Sequence, residues 1–153
     1  MRNLFLIGTV LVFISCNNSI VFEKYKNLED QSWHSDSVIN FDYTITDTTL
    51  KYKLDLNLRH SVNYEYQNLF LFITFESTRD TIELLLADKR GRWFGRGVGD
   101  IREVKVPLKE KQSFLKKGSK SIKIEQAMRY GSEQEIINLK FVDAIGISIT
   151  KIQ

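Results

Sequence analysis

The sequence predicts an all-β protein, a single β-sandwich of jelly-roll type with about eight antiparallel strands, and three observations lead there. The dominant apolar signal has period two, the spacing of side chains that alternate across a pleated strand. The separators between apolar runs are short and built from residues that suit hairpin turns. No long amphipathic helix breaks the pattern, so the apolar faces must be buried sheet against sheet.

Phe41, Tyr43 and Ile45 alternate with Asp42 and Thr44. Residues 50–59 set five apolar side chains on one face and five polar ones on the other, a half-buried strand of an antiparallel sheet. Residues 69–75 are apolar on both faces, which suits a central strand of a sandwich. Residues 81–87, 101–108, 121–125 and 136–142 follow, and Ile145, Ile147 and Ile149 form the last run. Residues 77–80 and 117–119 read as hairpin turns. Within residues 124–129, Ile124, Ala127 and Met128 would share a helical face, but six residues without a good cap cannot offset the cost of nucleation. A strand passing into a loop is expected there.

The chain has 153 residues, 42% hydrophobic, 12% aromatic and 27% charged. That is one compact domain with enough apolar surface to offset its ordering entropy. A single cysteine excludes a disulfide framework. The formal charge of +3, from 22 basic and 19 acidic residues, is too small to make an electrostatic footprint for nucleic acid. Lysines between positions 105 and 120 are expected on a solvated strand edge, where they discourage edge-to-edge aggregation. A contact with acidic lipid headgroups has no support beyond their sign.

The N-terminus has the form of an export signal. Arg2 precedes an apolar stretch, residues 4–14, interrupted only by Gly8 and Thr9. Eleven residues rise about 16 Å as a helix, too short to span a bilayer. Ser15-Cys16 followed by Asn17-Asn18-Ser19 looks like a bacterial lipoprotein signal, with Cys16 as the lipid attachment site and mature N-terminus. An ordinary secretory peptide with an incidental thiol is the alternative. Residues 1–15 are thus expected to be a signal peptide, 16–32 the lipidated N-terminus and tether, and 33–153 the sandwich domain. Two or three acyl chains at about 0.8 kcal/mol per buried methylene would hold the protein durably on a membrane.

Candidate sites are few. Residues 88–100 hold Gly91, Gly95, Gly97 and Gly99, four of the eight glycines, so this backbone needs positive φ or close approaches that side chains would block. No Lys-Ser/Thr, GxGxxG spacing or following helix makes it a nucleotide loop. It is either a tight turn with Trp93 or Phe94 covering the end of the core, or an exposed loop presenting Arg92, Trp93 and Arg96 to a partner. Residues 59–68 supply Arg59, His60, Tyr64 and Tyr66, which could form a sugar-stacking platform or simply pack a loop. Only His34 and His60 exist, neither at metal-ligand spacing, and no GxSxG elbow supports a nucleophile. Glu83, Asp88, Asp100 and Glu125 could make a glycosidase pair only if the fold brought two together. No catalytic residue, metal or cofactor is therefore assigned, and the protein is expected not to be an enzyme.

Several blocks, taken in order, resemble the GldH gliding-motility lipoprotein family. They are Leu56-Asn57-Leu58-Arg59-His60 with Tyr64 and Tyr66, Asn68-Leu69-Phe70-Leu71-Phe72-Ile73, the block from Leu86 to Ile101, and Ile124-Glu125-Gln126-Ala127-Met128-Arg129. The glycine–tryptophan block and the Gln-Ala-Met-Arg block are the most specific. The resemblance implies a cell-envelope lipoprotein needed for bacterial gliding, working through protein contacts with the gliding and type IX secretion machinery. The family has no established catalytic residues to carry over. Asn17-Asn18-Ser19-Ile20 carries no acidic export patch, which points to a periplasm-facing anchor. A jelly-roll carbohydrate-binding module using Tyr64, Tyr66 or Trp93 is the alternative, with a glycan as ligand.

Overall fold

The protein is seen in a computed structural model that describes residues 19–132 and 134–152. Ten strands make up the described chain: β1 (Ile20–Asn27), β2 (Ser32–His34), β3 (Ile39–Ile45), β4 (Lys51–Ser61), β5 (Asn68–Phe75), β6 (Thr78–Leu85), β7 (Ile101–Gln112), β8 (Gly118–Gln126), β9 (Asn138–Lys140) and β10 (Val142–Ile152). Every pairing is antiparallel. One sheet runs β1-β10-β4-β7, the second β3-β8-β5-β6, and β2 and β9 form a short ribbon. Among the long strands only the β5–β6 hairpin joins neighbours within a sheet. The other connections cross between sheets, the interleaving of a jelly roll.

Alternation makes the core. Tyr52, Leu54, Leu56 and Leu58 of β4 and Ile145, Ile147 and Ile149 of β10 are buried, as are Phe41, Tyr43 and Ile45 of β3, Leu69 and Leu71 of β5, and Ile122 and Ile124 of β8. The register sets like on like: Leu54, Leu56 and Leu58 face Ile149, Ile147 and Ile145. Each fully buried aliphatic side chain contributes about 1.5–3 kcal/mol, which lets the domain hold without staples.

Two strand boundaries differ from expectation, and the stretch expected as tether includes a strand: residues 20–27 form β1, which pairs with β10 over its whole length, and Trp33 just beyond is fully buried. Within β1 only Phe22 and Tyr25 are even half-buried. An edge strand held by backbone pairing shows no period-two apolar face. Residues 136–142 form two strands rather than one, because Phe141 takes φ 66° and breaks the run. The hairpin turn lies at Glu76 and Ser77, with Glu76 at φ 55°, and residues 78–80 already belong to β6. The signal peptide and Cys16 lie outside the described residues.

The outward face of β4 is also less wet than alternation suggests. Asp55 and Asn57 are buried because β4 lies between β10 and β7 and long neighbouring side chains cross it. Lys53 and Lys105 bring their Nζ atoms to 3.2 and 3.3 Å from the Asp55 carboxylate, so the buried charge is paired.

The sandwich has two unlike ends. At one, β1 starts, β10 finishes, and the 46–50 and 113–117 connections cross between sheets. At the other lie the 62–67 and 86–100 connections and the segment that follows β8.

Candidate functional site

The second end gathers three of the sequence blocks singled out above. Asp88 organises the first turn of the glycine-rich connection. Its Oδ1 accepts from the backbone N–H groups of Arg90 at 2.8 Å and Arg92 at 3.0 Å, and its Oδ2 accepts from Arg92 Nε at 2.8 Å. These bonds, the backbone one from Arg92 foremost, hold the Asp88 carboxyl below the usual carboxylate range. The chain then returns beside itself: Phe94 N–H donates to Leu86 O at 2.7 Å, and Leu86 and Ala87 donate to Gln67 O.

The glycines serve two needs. Gly95 has φ 83°, and a Cβ there would collide with the Glu103 carbonyl; a Cβ on Gly97 would collide with that of Ile101. The loop lies flat against the start of β7, with Arg96 and Glu103 exchanging both backbone hydrogen bonds at 3.0 and 2.7 Å. Close approach of two backbones is what glycine permits here.

Trp93 turns inward. Its ring meets His60 edge-on at 4.8 Å and lies 6.5 Å from Tyr64; Tyr64 meets Tyr66 at 5.6 Å, and Tyr66 meets Tyr130 at 5.8 Å. Tyr64 is buried with its hydroxyl donating to Asn68 O at 3.1 Å. His60 is fully buried, and its Nδ1 lies 2.9 Å from Ser61 O. A carbonyl only accepts, so Nδ1 carries the proton and Nε2 is a buried acceptor with no partner among the described residues. Burial above all, with Arg102 acting in the same direction, pushes the imidazole below its ordinary value. His60 is thus a neutral packing residue.

Outside this packed row runs an open groove of about 770 Å³, lined by Tyr66, Phe70, Leu85, Phe94, Met128 and Tyr130, with Glu65, Glu83, Asp88, Lys89 and Arg129 along it. Leu85, Phe94 and Tyr130 are 60%, 42% and 68% exposed, so a continuous apolar surface faces solvent. Its floor is fixed by the Gln-Ala-Met block. Ala127 N–H donates to Phe70 O at 2.8 Å, Phe70 N–H donates to Met128 Sδ at 3.3 Å, and Gln126 bonds both Met128 N–H at 2.9 Å and Ile136 O at 2.6 Å.

Of the residues the sequence singled out, the structure brings His60, Tyr64, Tyr66 and Trp93 into one cluster. Of these four, only Tyr66 lines the groove. Arg92 is exposed and tied to Asp88, and Arg96 is exposed on the glycine turn. Arg59 points to the other face of β4, where its Nε reaches Glu103 Oε2 at 2.6 Å and its guanidinium lies 4.1 Å over the Tyr25 ring. Sequence reasoning missed Leu85, Phe70 and Tyr130 as surface residues. The signal was available in part, since Leu84-Leu85-Leu86 breaks alternation and must turn one leucine outward.

Glu83 and Asp88 both line the groove, whereas Asp100 and Glu125 do not. Glu83 accepts from Asn68 Nδ2 at 2.6 Å, and Asp88 is occupied by its turn. Among the described residues no three His, Cys, Asp or Glu side chains gather to hold a metal ion.

A family model described as GldH lipoprotein matches residues 20–149, from the first strand into the last. A "Gliding motility lipoprotein GldH homolog" of Christiangramia forsetii is 34% identical over 151 residues, 95% of this chain and 92% of that protein. "Gliding motility lipoprotein GldH" of Flavobacterium johnsoniae is 40% identical over 129 residues, 81% of this chain and 79% of that protein. The crystal structure of the infectious bursal disease virus VP2 subviral particle aligns with 84% of this chain and 30% of its own, at 12% identity and a TM-score of 0.29, too slight a likeness to bear on fold or function.

Proposed function

The chain belongs to the GldH lipoprotein family, and from that premise we propose that it is a non-catalytic, lipid-anchored envelope protein of the gliding machinery that works by holding a protein partner in the aromatic groove. The observation that carries this reading is convergence. The tyrosine block, the glycine–tryptophan block and the Gln-Ala-Met-Arg block, distant in sequence, meet to form one apolar surface open to solvent. A protein with no use for that surface would bury Leu85, Phe94 and Tyr130 or replace them.

A partner from the gliding or type IX secretion apparatus fits the family's setting, and attachment through Cys16 would hold the protein at the membrane, on the periplasmic side. A catalytic role has less support. The Asp88 carboxyl is held low rather than raised, opposite to what a glycosidase general acid needs, and His60 is sealed inside. The carbohydrate-binding alternative loses two of its three platforms, because Tyr64 is buried and Trp93 stands edge-on to His60.

Phe94→Glu tests the reading. Its ring is already 42% exposed, so the fold should persist while a charge enters the groove. Expected is normal protein level with loss of colony spreading in a strain carrying only this variant. Normal spreading with Phe94→Glu and with Tyr130→Glu would reject the groove. A glycan array on which Tyr66→Ala and Tyr130→Ala abolish binding would favour the carbohydrate reading instead.

A further inference from the structure

The end of the sandwich opposite the groove is basic, and it is the end from which the chain runs back toward Cys16. β1 starts there, and Lys151 N–H donates to Ser19 O at 2.8 Å, pinning the start of the described chain to the last strand. Cys16 precedes Ser19 by three residues, and three residues of any chain span at most about 11 Å. At the same end, Lys51, Lys111, Lys116, Lys117, Lys120 and Lys151 stand against Asp47, Glu76 and Glu110, an excess equal to the formal +3 of the whole chain. Lys120 reaches Glu76 at 3.6 Å, whereas Lys111, Lys116 and Lys117 have no ion-pair partner among the described residues.

The tip of the β7–β8 connection adds an apolar element. Phe114 is buried, its ring 5.5 Å from Tyr52 and 6.2 Å from Tyr43, and it locks the connection onto the core. Leu115, next to it, is 97% exposed and followed at once by Lys116 and Lys117. A leucine held outward on a rigid tip between lysines is suited to a surface with acyl chains beneath anionic headgroups.

We propose that this end is a docking surface for an anionic lipid bilayer. Lys111, Lys116 and Lys117 lie against lipid phosphates and Leu115 enters the interface, so the sandwich stands on the membrane with the groove pointing away. The proposal rests on the reading of Cys16 as lipidated, which brings this end and no other against the bilayer.

The test uses the lipidated full chain in vesicles of phosphatidylcholine with about one-third phosphatidylglycerol, carrying an environment-sensitive fluorophore on Leu115→Cys or on Val98→Cys. Val98 is 95% exposed at the opposite end. Expected is a blue-shifted label, quenched by spin-labelled lipid, at position 115 and not at 98. The triple variant Lys111→Gln, Lys116→Gln, Lys117→Gln should lower the ratio of docked to undocked protein about a hundredfold, about fivefold per lysine. Equal emission at the two positions, or a shift that survives the triple variant or pure phosphatidylcholine, overturns the proposal. Failure of the anchor is read separately, as absence of palmitate on Cys16. In that case the same labels are read with vesicles at millimolar lipid, and the shift at 115 must still appear for the docking surface to stand.

Discussion

Gly97, Gly146 and His60 show how far single side chains are committed. A Cβ on Gly97 would meet the Ile101 carbonyl, so Gly97→Ala should destabilise the fold by about 1–3 kcal/mol, read as a lower urea midpoint. Gly91, with open space around it, tolerates alanine better in contact terms but pays in its φ of 78°. Gly146 underlies Tyr25, whose ring a Cβ would meet at 2.6 Å, and Tyr25 in turn carries Arg59. His60 makes a pH prediction. Its folded value lies below its ordinary one, so the unfolded chain binds more protons and stability rises with pH. The contribution is complete above about 6.5 and is lost as pH falls below it. Urea midpoints measured from pH 7.5 down to 5 should therefore decline, and His60→Gln should flatten that slope whatever its own stability. An unchanged slope in the variant would assign the decline to other groups.

Strands legible in the sequence are those whose apolar faces alternate, and the others show why pattern alone runs out. β3, β4, β5 and β10 announce themselves because every second residue is buried, as Leu54, Leu56 and Leu58 are. β1 does not, because it is an edge strand whose inward register positions include Lys24 and Lys26, opposite Ile147 and Ile145. Its place is set by backbone hydrogen bonds and by Tyr25 over Gly146, which no periodicity reports. Removing residues 20–27 separates the two readings. A tether can be deleted without consequence, whereas loss of β1 uncovers the long edge of β10 with its buried isoleucines. Aggregation on refolding, seen by light scattering, is expected; a monomeric, fully stable truncation would contradict the assignment of β1. The groove was half legible for a related reason. Tyr66 and the glycine–tryptophan block stand out in composition, but Leu85 and Phe70 become surface only through the register Phe70–Glu83 and Asn68–Leu85, which sets them on the outer face of β5 and β6.

The jelly roll sets its two unlike ends apart by about the length of its strands. One end carries the start of β1, the lysines and Leu115; the other carries the packed row His60–Tyr64–Tyr66–Trp93 and the open groove beside it. Between them a core of buried aliphatic and aromatic residues keeps the two ends in fixed relation, and truncating one member, Leu56→Ala, should cost about 2–5 kcal/mol in thermal or urea unfolding. Under the proposed function, attachment through Cys16 at one end would let such a body present the groove at its other end at a set height above a membrane. The most direct test of that account is a photo-crosslinking residue at position 94, in the groove, compared with one at position 98 on the glycine turn outside it, in gliding cells. Position 94 should yield one discrete crosslinked envelope protein, lost on Tyr130→Glu, while position 98 should yield none. No product from position 94, or the same product from both positions, would contradict it.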